Sequence, residues 1–552
     1  MKVKSLVELS ACAAAQRSLD EIVDALPGLP TEGMKLLWTY MSPRQLRGLE
    51  LLIVDKEILQ LMDDQWRFCI EHDVKGLHHK LDPNKHFFSS SDSTTFVRTT
   101  SIVATYRHAY WESQFRALLA QMDQSVNCYP LELFQDVVRE VKIRGKEMTI
   151  GNVKKILALS SVERVEIHHF TPLEENWDLL TTIVKEHQTL KEVCILHSKL
   201  PTLQPLLDAF KERSFAPIRV LGFSSVKFLP KALKEFIDAF TNGRLHLKRL
   251  RMNNSIVDHS NLGLLLECGG RLLETLVLQF NELENEELMC LTPSSTIQHL
   301  SLCYNGITSA IPLFKWTNLV SLDLSGNTME DMGIMELSTQ VLPHLKLLQH
   351  LYLVSCGFTD QAAESLLEVL AKNQNIVTLN ISRNYLSSAV SAYLAHFLAH
   401  NSSITELHIN SIGLGDSGGQ CNLLYTAIKS NLSLQQLSIG ENRLRDAGAV
   451  PLFSALIHRS ANAGYKSVDL RGNLISDKGL MGFAAVVESV TRKRKLQDMM
   501  GNRPWLVNEL NLQDNSFTCS KSSYPLLKKH IQFIYSNEWT SAASTIAYDD
   551  EA

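Results

Sequence analysis

"LQHLYLVSCGFTDQAAESLLEVLAKNQN", residues 348–375, changes its hydrophobic period halfway along. Leu348, Leu351 and Leu353 keep the spacing L-x-x-L-x-L of a short strand with one buried face, and Cys356 and Phe358 close a bend behind it. From Asp360 the apolar residues recur at helical intervals instead. The same order then begins again, 28 residues on, with "IVTLNISRNYL" from Ile376 and the helical "SSAVSAYLAHFLAHNSS". One strand and one helix cannot bury their apolar faces alone, so copies of this unit must stack.

Working outward, the strand pattern recurs as "LETLVLQFNEL" from Leu273, "IQHLSLCYNGI" from Ile297, "LVSLDLSGNTM" from Leu319, "LQQLSIGENRL" from Leu434 and "VNELNLQDNSF" from Val507. Weaker copies start at Val162, Leu190, Ile218, Leu247, Ile404 and Tyr465, which makes thirteen strand segments over 162–517. Their starts lie 28, 28, 29, 26, 24, 22, 29, 28, 28, 30, 31 and 42 residues apart, and the short spacings near 273–319 leave room for only a turn or a brief helix. Asn281, Asn305, Asn327, Asn384, Asn442, Asn473 and Asn515 share one position after the strand, where an amide side chain can satisfy the backbone of a bend. The pattern resembles the ribonuclease-inhibitor-like class of leucine-rich repeat. The fold class it implies is α/β, a leucine-rich repeat solenoid with parallel strands inside a horseshoe and helices outside. An all-α region is expected ahead of it. The expected divisions are a helical region over 1–80, a linker and helical cap over 81–155, the repeat domain over 156–520, and a capping helix and tail over 521–552.

The segment "LGDSGG" at 414–419 resembles the nucleophile segment of chymotrypsin-type proteases, and its glycines also spell G-x-G-x-x-G. Register decides against both. Ile404, Leu407, Ile409 and Leu414 occupy consensus core positions, so the segment is a strand-to-helix turn like those at Asp360, Asp446 and Asp477. Asp416 is expected to act as a helix N-cap there. No matching histidine segment or crossover unit accompanies Ser417. The chain is therefore expected to carry no catalytic, cofactor or metal site, and the adjacent pairs His78-His79 and His168-His169 lack metal-ligand spacing.

The 552 residues carry a formal net charge of -5, with no footprint of nucleic-acid or membrane binding, so proteins are the expected partners. The ten cysteines form no C-x-x-C pair, which fits a reducing cytosol or nucleus. No apolar stretch is long enough to span a membrane. Leu6, Leu9 and Ala13 fall on one helix face and Glu8 interrupts the apolar run, so the N-terminus reads as an amphipathic helix rather than a signal peptide. "TRKRK" at 491–495 is either a solvated helix end or a nuclear import signal, and the polar 89–101 reads as a loop.

The N-terminal residues carry a second resemblance. "SLVELSACAAA" from Ser5 resembles the BC box that binds elongin C, and "LPGLPTEGMKLLWTYMSPRQLRGLE" resembles a cullin box. The order of helix, hairpin and repeats is similar to the leucine-rich-repeat substrate receptors of elongin BC ubiquitin ligases. That resemblance implies elongin C contacts at Leu6, Leu9, Ser10 and Ala14, with Ser10 standing where the family has cysteine. It implies cullin contacts at Leu29, Pro30, Met34 and Leu37, and as partners elongin C, elongin B and cullin 5 or cullin 2 with a RING subunit. The same hairpin also resembles an F-box that binds the Skp adaptor. Read from periodicity alone, these helices cap the open end of the repeats, and the chain is a free-standing scaffold or inhibitor.

Under either reading a protein substrate is expected on the outward strand residues. Between Leu247 and Leu414 these include Arg249, Arg251, Phe280, His299, Tyr304, His350, Tyr352, Arg383 and His408. Aromatics and arginine are common interface anchors.

Overall fold

The structure is a computed structural model that describes residues 106–120, 131–242, 245–255, 272–290, 296–415, 421–458, 465–497, 507–517 and 531–535. It also describes Ile22, Met34, Leu37, Trp38, Met41, residues 45–47 and Leu527. The chain divides into two compact units, Met1–Val257 and Asp258–Ala552.

In the first unit the helix α1 (Tyr106–Ala120) precedes the strands β1 (Glu140–Arg144), β2 (Arg164–His168), β3 (Glu192–Leu196), β4 (Lys199–Leu200), β5 (Val220–Ser224), β6 (Lys227–Phe228) and β7 (Arg249–Asn253). Strands β1, β2, β3, β5 and β7 pair in parallel in that order, and β4 pairs with β6. Helices α2 (Ile150–Leu157), α3 (Glu174–Glu186), α4 (Gln204–Glu212) and α5 (Pro230–Thr241) alternate with them. Alternation sets the burial: Val165 pairs with Val193, Val193 with Leu221 and Leu221 with Leu250, all in the core, while the residues between them face the other way. Local chemistry sets the helix starts, with Thr149 accepting the Asn152 amide ahead of α2 and proline opening α5.

Two expectations change here. Strand β1 lies inside the segment expected to be linker and cap, and pairs with β2 from Glu140↔Arg164 onward. The repeats therefore begin earlier than 156, because Val138, Val141 and Ile143 supply the same buried alternation as later copies. The second concerns the hairpin residues. Met34 and Leu37, assigned to cullin contact, are only 8% and 4% exposed, and Trp38, Met41 and Leu46 beside them are buried too. Arg47 donates from Nε to Leu133 O (3.2 Å) and from Nη2 to Gln135 O (2.7 Å), joining the hairpin to the segment before β1. The described apolar residues of this segment are buried within the chain itself.

The second unit contains β8 (Thr275–Val277), α6 (Asn285–Cys290), β9 (His299–Ser301), β10 (Ser321–Asp323), α7 (Glu330–Glu336), β11 (His350–Tyr352), α8 (Asp360–Lys372), β12 (Thr378–Asn380) and α9 (Val390–His400). It continues with β13 (Glu406–His408), α10 (Asn422–Ser430), β14 (Gln436–Ser438), α11 (Arg445–Ile457), β15 (Tyr465–Asp469), α12 (Asp477–Gln497), β16 (Val507–Asn511) and β17 (Ile531–Tyr535). All ten strands are parallel. One register line runs Leu276, Leu300, Leu322, Leu351, Leu379, Leu407, Leu437, Val468, Leu510 and Ile534. Full burial of each such aliphatic side chain is worth about 1.5–3 kcal/mol. The short spacings hold the six-residue α6 and a 3-10 turn at Ile311–Lys315, as expected. Strand β17 corrects the C-terminal helix expected over 521–552: at 531–535 the β-branched and aromatic "IQFIY" extends the ladder. The basic 491–495 forms the end of α12.

The bends follow one plan. The residue seven positions after each repeat start has positive φ in all thirteen copies: His169, His197, Ser225, Asn254, Phe280, Tyr304, Gly326, Ser355, Arg383, Ser411, Glu441, Gly472 and Asp514. In seven of the thirteen copies the next residue is the consensus asparagine, and its two ends work in opposite directions. Asn442 Oδ1 accepts the Ile412 amide of the preceding repeat (3.0 Å), while its Nδ2 donates to Ile409 O (2.7 Å) and to Ile439 O and Gly440 O (3.0 Å each). Asn305, Asn327, Asn384, Asn473 and Asn515 likewise accept an amide from the repeat before. The backbone amides of Ile412 and Cys356 donate to such an asparagine, but neither side chain offers an amide oxygen to the repeat before, and Cys356 Sγ donates to Leu324 O instead (3.4 Å).

The aspartates at helix starts also work between repeats rather than as caps of their own helices. Asp360 Oδ1 accepts the Ser387 amide (3.0 Å) and Asp446 Oδ1 the Ser476 amide (2.8 Å), with each serine hydroxyl bonded to the second oxygen. The helix start at Asp360 is capped by Thr359 instead. Asp416 and Ser417 lie outside the described residues. Gly415 does not: its amide donates to Asn442 O (2.9 Å), and a Cβ there would meet Arg443 O at 2.2 Å. Close packing of two turns requires that glycine.

Candidate functional site

The strand face turned away from the helices carries the polar residues between the core positions, and each unit presents its own version. In the first unit that face is an ion-pair lattice. Arg164 Nε lies 3.3 Å from Glu140 Oε1 and 3.4 Å from Glu192 Oε1, and its Nη2 lies 2.8 Å from Glu166 Oε2. Lys142 Nζ approaches Glu140 (3.5 Å) and Glu166 (3.9 Å), and His168 Nε2 meets Glu166 Oε1 at 2.7 Å. Burial alone would raise the Glu166 carboxyl, but the His168 hydrogen bond and the Lys142 and Arg164 charges hold it well below the usual carboxylate range. Cys194 packs beneath this lattice, where burial pushes its thiol up to about 12. A Cβ at Gly222 would sit 2.7 Å from its Sγ.

None of these charged residues was assigned to the surface from sequence, although "REVKIR" and "ERVEIHH" alternate charge with apolar residues. Of the assigned residues in this unit, Arg249 is half-buried. Arg251 is only 9% exposed, which corrects its assignment as a docking side chain: neighbouring strands less than 5 Å apart crowd the middle row of the face.

In the second unit the face is polar with few charges. His350 Nδ1 lies 3.0 Å from Thr378 Oγ1, and Thr378 Oγ1 donates to Glu406 Oε2 (3.1 Å), whose other oxygen accepts from Gln436 Nε2 (2.9 Å). Burial raises the Glu406 carboxyl and lowers the His350 imidazole. Two residues further along the strands, His408, Ser438 and Asp469 stand in register on adjacent strands. Ser438 Oγ donates to Asn410 Oδ1 (2.6 Å) and lies 3.4 Å from Asp469 Oδ2. This row is buried: burial lowers the His408 imidazole to about 4 and pushes the Asp469 carboxyl up to about 7, with Arg471 opposing the latter. His408, at 5% exposure, is therefore corrected as a surface residue for the same reason as Arg251.

The remaining assigned residues reach solvent. Arg383 is exposed, and His299, Tyr304, His350 and Tyr352 are half-buried. Burial raises the Tyr352 phenol. Phe280 is 44% exposed and stacks on Tyr304 with centroids 4.5 Å apart and planes 4° from parallel. At the same rim Glu441 gathers Arg471 Nη2 (3.6 Å) and Arg383 Nη2 (4.0 Å) and accepts the Ser411 hydroxyl (2.6 Å). Leu6, Leu9, Ser10, Ala14, Leu29 and Pro30 lie outside the described residues. Among the described residues no group of three or more His, Cys, Asp or Glu side chains is placed to hold a metal ion, and no helix is long and apolar enough to cross a membrane.

A comparison with family models agrees with the repeat architecture. A family model described as Leucine Rich repeat matches residues 317–338 and 466–484. The chain is 29% identical over 276 residues to NACHT, LRR and PYD domains-containing protein 14 of Mus musculus, covering 47% of this chain and 27% of that protein. It is 26% identical over 364 residues to NACHT, LRR and PYD domains-containing protein 5 of Homo sapiens, covering 60% of this chain and 28% of that protein. The chain thus spans little more than a quarter of the length of these relatives. An internalin from Listeria monocytogenes aligns with TM-score 0.39 and 16% identity, over 77% of this chain and 93% of that structure. The chain thus carries leucine-rich repeats, and these support reading it as a protein-interaction scaffold.

Proposed function

We propose that the scaffold serves as the substrate-recognition subunit of an elongin BC-cullin-RING ubiquitin ligase. The repeats hold a protein substrate on the helix-free strand face, and the N-terminal helix bearing Leu6 docks on elongin C. The observation that supports the substrate half is the helix-free strand face itself, on which Tyr352 and His350 are half-buried and Arg383 is exposed. Such a face gives a partner fixed, pre-ordered side chains, which lowers the entropy lost on binding. The ligase half rests on the BC-box-like residues 5–15 and on the order of segments, which resembles leucine-rich repeat-containing protein 41.

The chain performs no chemistry in this role. It raises the local concentration of substrate lysines at the conjugating enzyme by holding both in one assembly. Elongin B, and cullin 5 or cullin 2 with its RING subunit, complete that assembly; the chain works in the cytosol or nucleus, without nucleic acid or membrane.

The hairpin favours a second reading. Met34, Leu37, Trp38 and Leu46 pack inward and Arg47 bonds to Leu133 and Gln135, the contacts a cap would make, so a scaffold or inhibitor unrelated to ubiquitin is the competitor. An F-box that binds the Skp adaptor is disfavoured by the helix upstream of the hairpin.

Capture from purified components separates them. The full chain is expected to retain elongin B and C, and Leu6→Asp to lose them with an unchanged far-ultraviolet circular dichroism spectrum. Absence of capture by the unaltered chain would leave the scaffold reading in place.

A further inference from the structure

Phe280 and Tyr304 occupy the left-handed position of consecutive repeats, with φ of 56° and 53°. For bulky residues that conformation costs about 1–2 kcal/mol each, and other repeats place Gly326 and Gly472 in the same slot. What the aromatics gain is a rigid stack. Tyr304 is held between Phe280 and the backbone of Gly326, where a Cβ would lie 2.4 Å from Tyr304 Cδ1. Stacking returns about 0.5–1.5 kcal/mol, and Phe280 still presents much of its ring to solvent.

The stretch of chain that carries the stack holds charge of one sign. From Leu272 to Phe314 the chain contains no lysine or arginine, while Glu282, Glu284 and Glu286 in the turn and helix that follow Phe280 are exposed. Glu282 follows Phe280 by two residues and shares its left-handed backbone, with φ of 56°. An open aromatic face within a negative field favours a flat, weakly hydrated cation over a neutral apolar group or an anion.

We propose that the Phe280–Tyr304 stack, flanked by Glu282 and Glu284, is a docking platform for an arginine side chain of a partner protein. The guanidinium lies against the Phe280 ring and the carboxylates bind its edge. This deepens the reading of the repeats as the partner-binding element and does not depend on elongin.

The test is fluorescence anisotropy with the full chain and labelled peptides Gly-Arg-Gly-Arg-Gly, Gly-Lys-Gly-Lys-Gly and Gly-Leu-Gly-Leu-Gly. The arginine peptide is expected to bind more tightly than the lysine peptide, and the leucine peptide least. Phe280→Ala with Tyr304→Ala is expected to weaken the arginine peptide about fivefold, the ratio that about 1 kcal/mol of cation–π attraction gives. Glu282→Gln with Glu284→Gln leaves the rings intact and is expected to weaken it by a smaller factor that vanishes at high salt. Tyr304→Phe keeps the stack and is expected to keep the affinity. Equal arginine-peptide affinity with and without the rings, no measurable arginine-peptide binding, or equal binding of the leucine peptide overturns the platform. Elongin C capture reads the other half of the protein: its loss with the peptide result intact overturns the ligase role alone.

Discussion

At the scale of single residues, the helix-free face contains two titrating groups with opposite tendencies. Asp469 is buried and its carboxyl is pushed up to about 7. It holds its proton more tightly folded than unfolded, so its contribution to stability is complete below the ordinary carboxylate range and lost as pH rises through about 7. His408, lowered by burial to about 4, contributes above the ordinary imidazole range and loses that contribution as pH falls toward 4. Between about pH 4 and 6.5 these two contributions offset each other in the unaltered chain, so relative to it Asp469→Asn is expected to gain melting temperature as pH rises through that window and His408→Asn to lose it. Thermal melts in matched buffers check both; variants that track the unaltered chain at every pH would remove burial as the cause. Sequence showed which way these side chains point, since register fixes that, but not their burial. Crowding between adjacent rows depends on neighbours two strands away, and so Arg251 and His408 looked like surface residues.

At the scale of elements, the outermost strand of the first unit shows how a row of backbone groups is closed. Glu112 on α1 accepts the Arg139 amide at 3.3 Å and the Glu140 amide at 3.0 Å, at the start of β1. Burial and the nearby Glu140 carboxylate raise Glu112 to about 7, against the lowering effect of those two amides. Glu112→Leu leaves both amides without their acceptor and is expected to cost about 3 kcal/mol, given about 1–3 kcal/mol for each buried unsatisfied group. Glu112→Gln keeps an accepting oxygen and is expected to cost less than about 1 kcal/mol. Urea midpoints measure the difference, and equal losses for the two variants would show that the carboxyl does not satisfy the strand. Strand β1 and its clamp were hidden in the sequence because this copy ends in Gly145 and Lys146 rather than the asparagine bend. The consensus copies were legible because leucine spacing and asparagine agreed. Strand β17 escaped for a related reason: "IQFIYSNEW" has the core spacing at Ile531 and Ile534 but no leucine at either.

At the scale of the whole molecule, the repeat pattern set most of the architecture in advance, whereas the burial of Met34, Leu37 and Trp38 and the bond from Arg47 to Leu133 depend on residues far apart in sequence. The chain of side-chain amides in the second unit has an equally global effect. It runs from Asn327 back to Asn281, resumes from Asn384 to Cys356, and resumes again from Asn515 to Ile412. At these two steps the asparagine relay is replaced by bonds of other kinds: the weaker thiol bond from Cys356 Sγ to Leu324 O (3.4 Å) with Val354 N to Ser325 Oγ (3.1 Å) at one, and Asn410 N to Ser382 Oγ (3.0 Å) at the other. Cys356→Asn and Ile412→Asn each supply the missing oxygen and are expected to raise the urea midpoint, by about 1 kcal/mol per bond gained; no rise would mean that the altered turn fails to form the bond. Drawn from its C-terminal end in an optical trap, the unaltered unit is perforated like a strip of stamps. It is expected to tear in blocks at those two gaps, so that a pull on a bound partner spends itself on the outer block first.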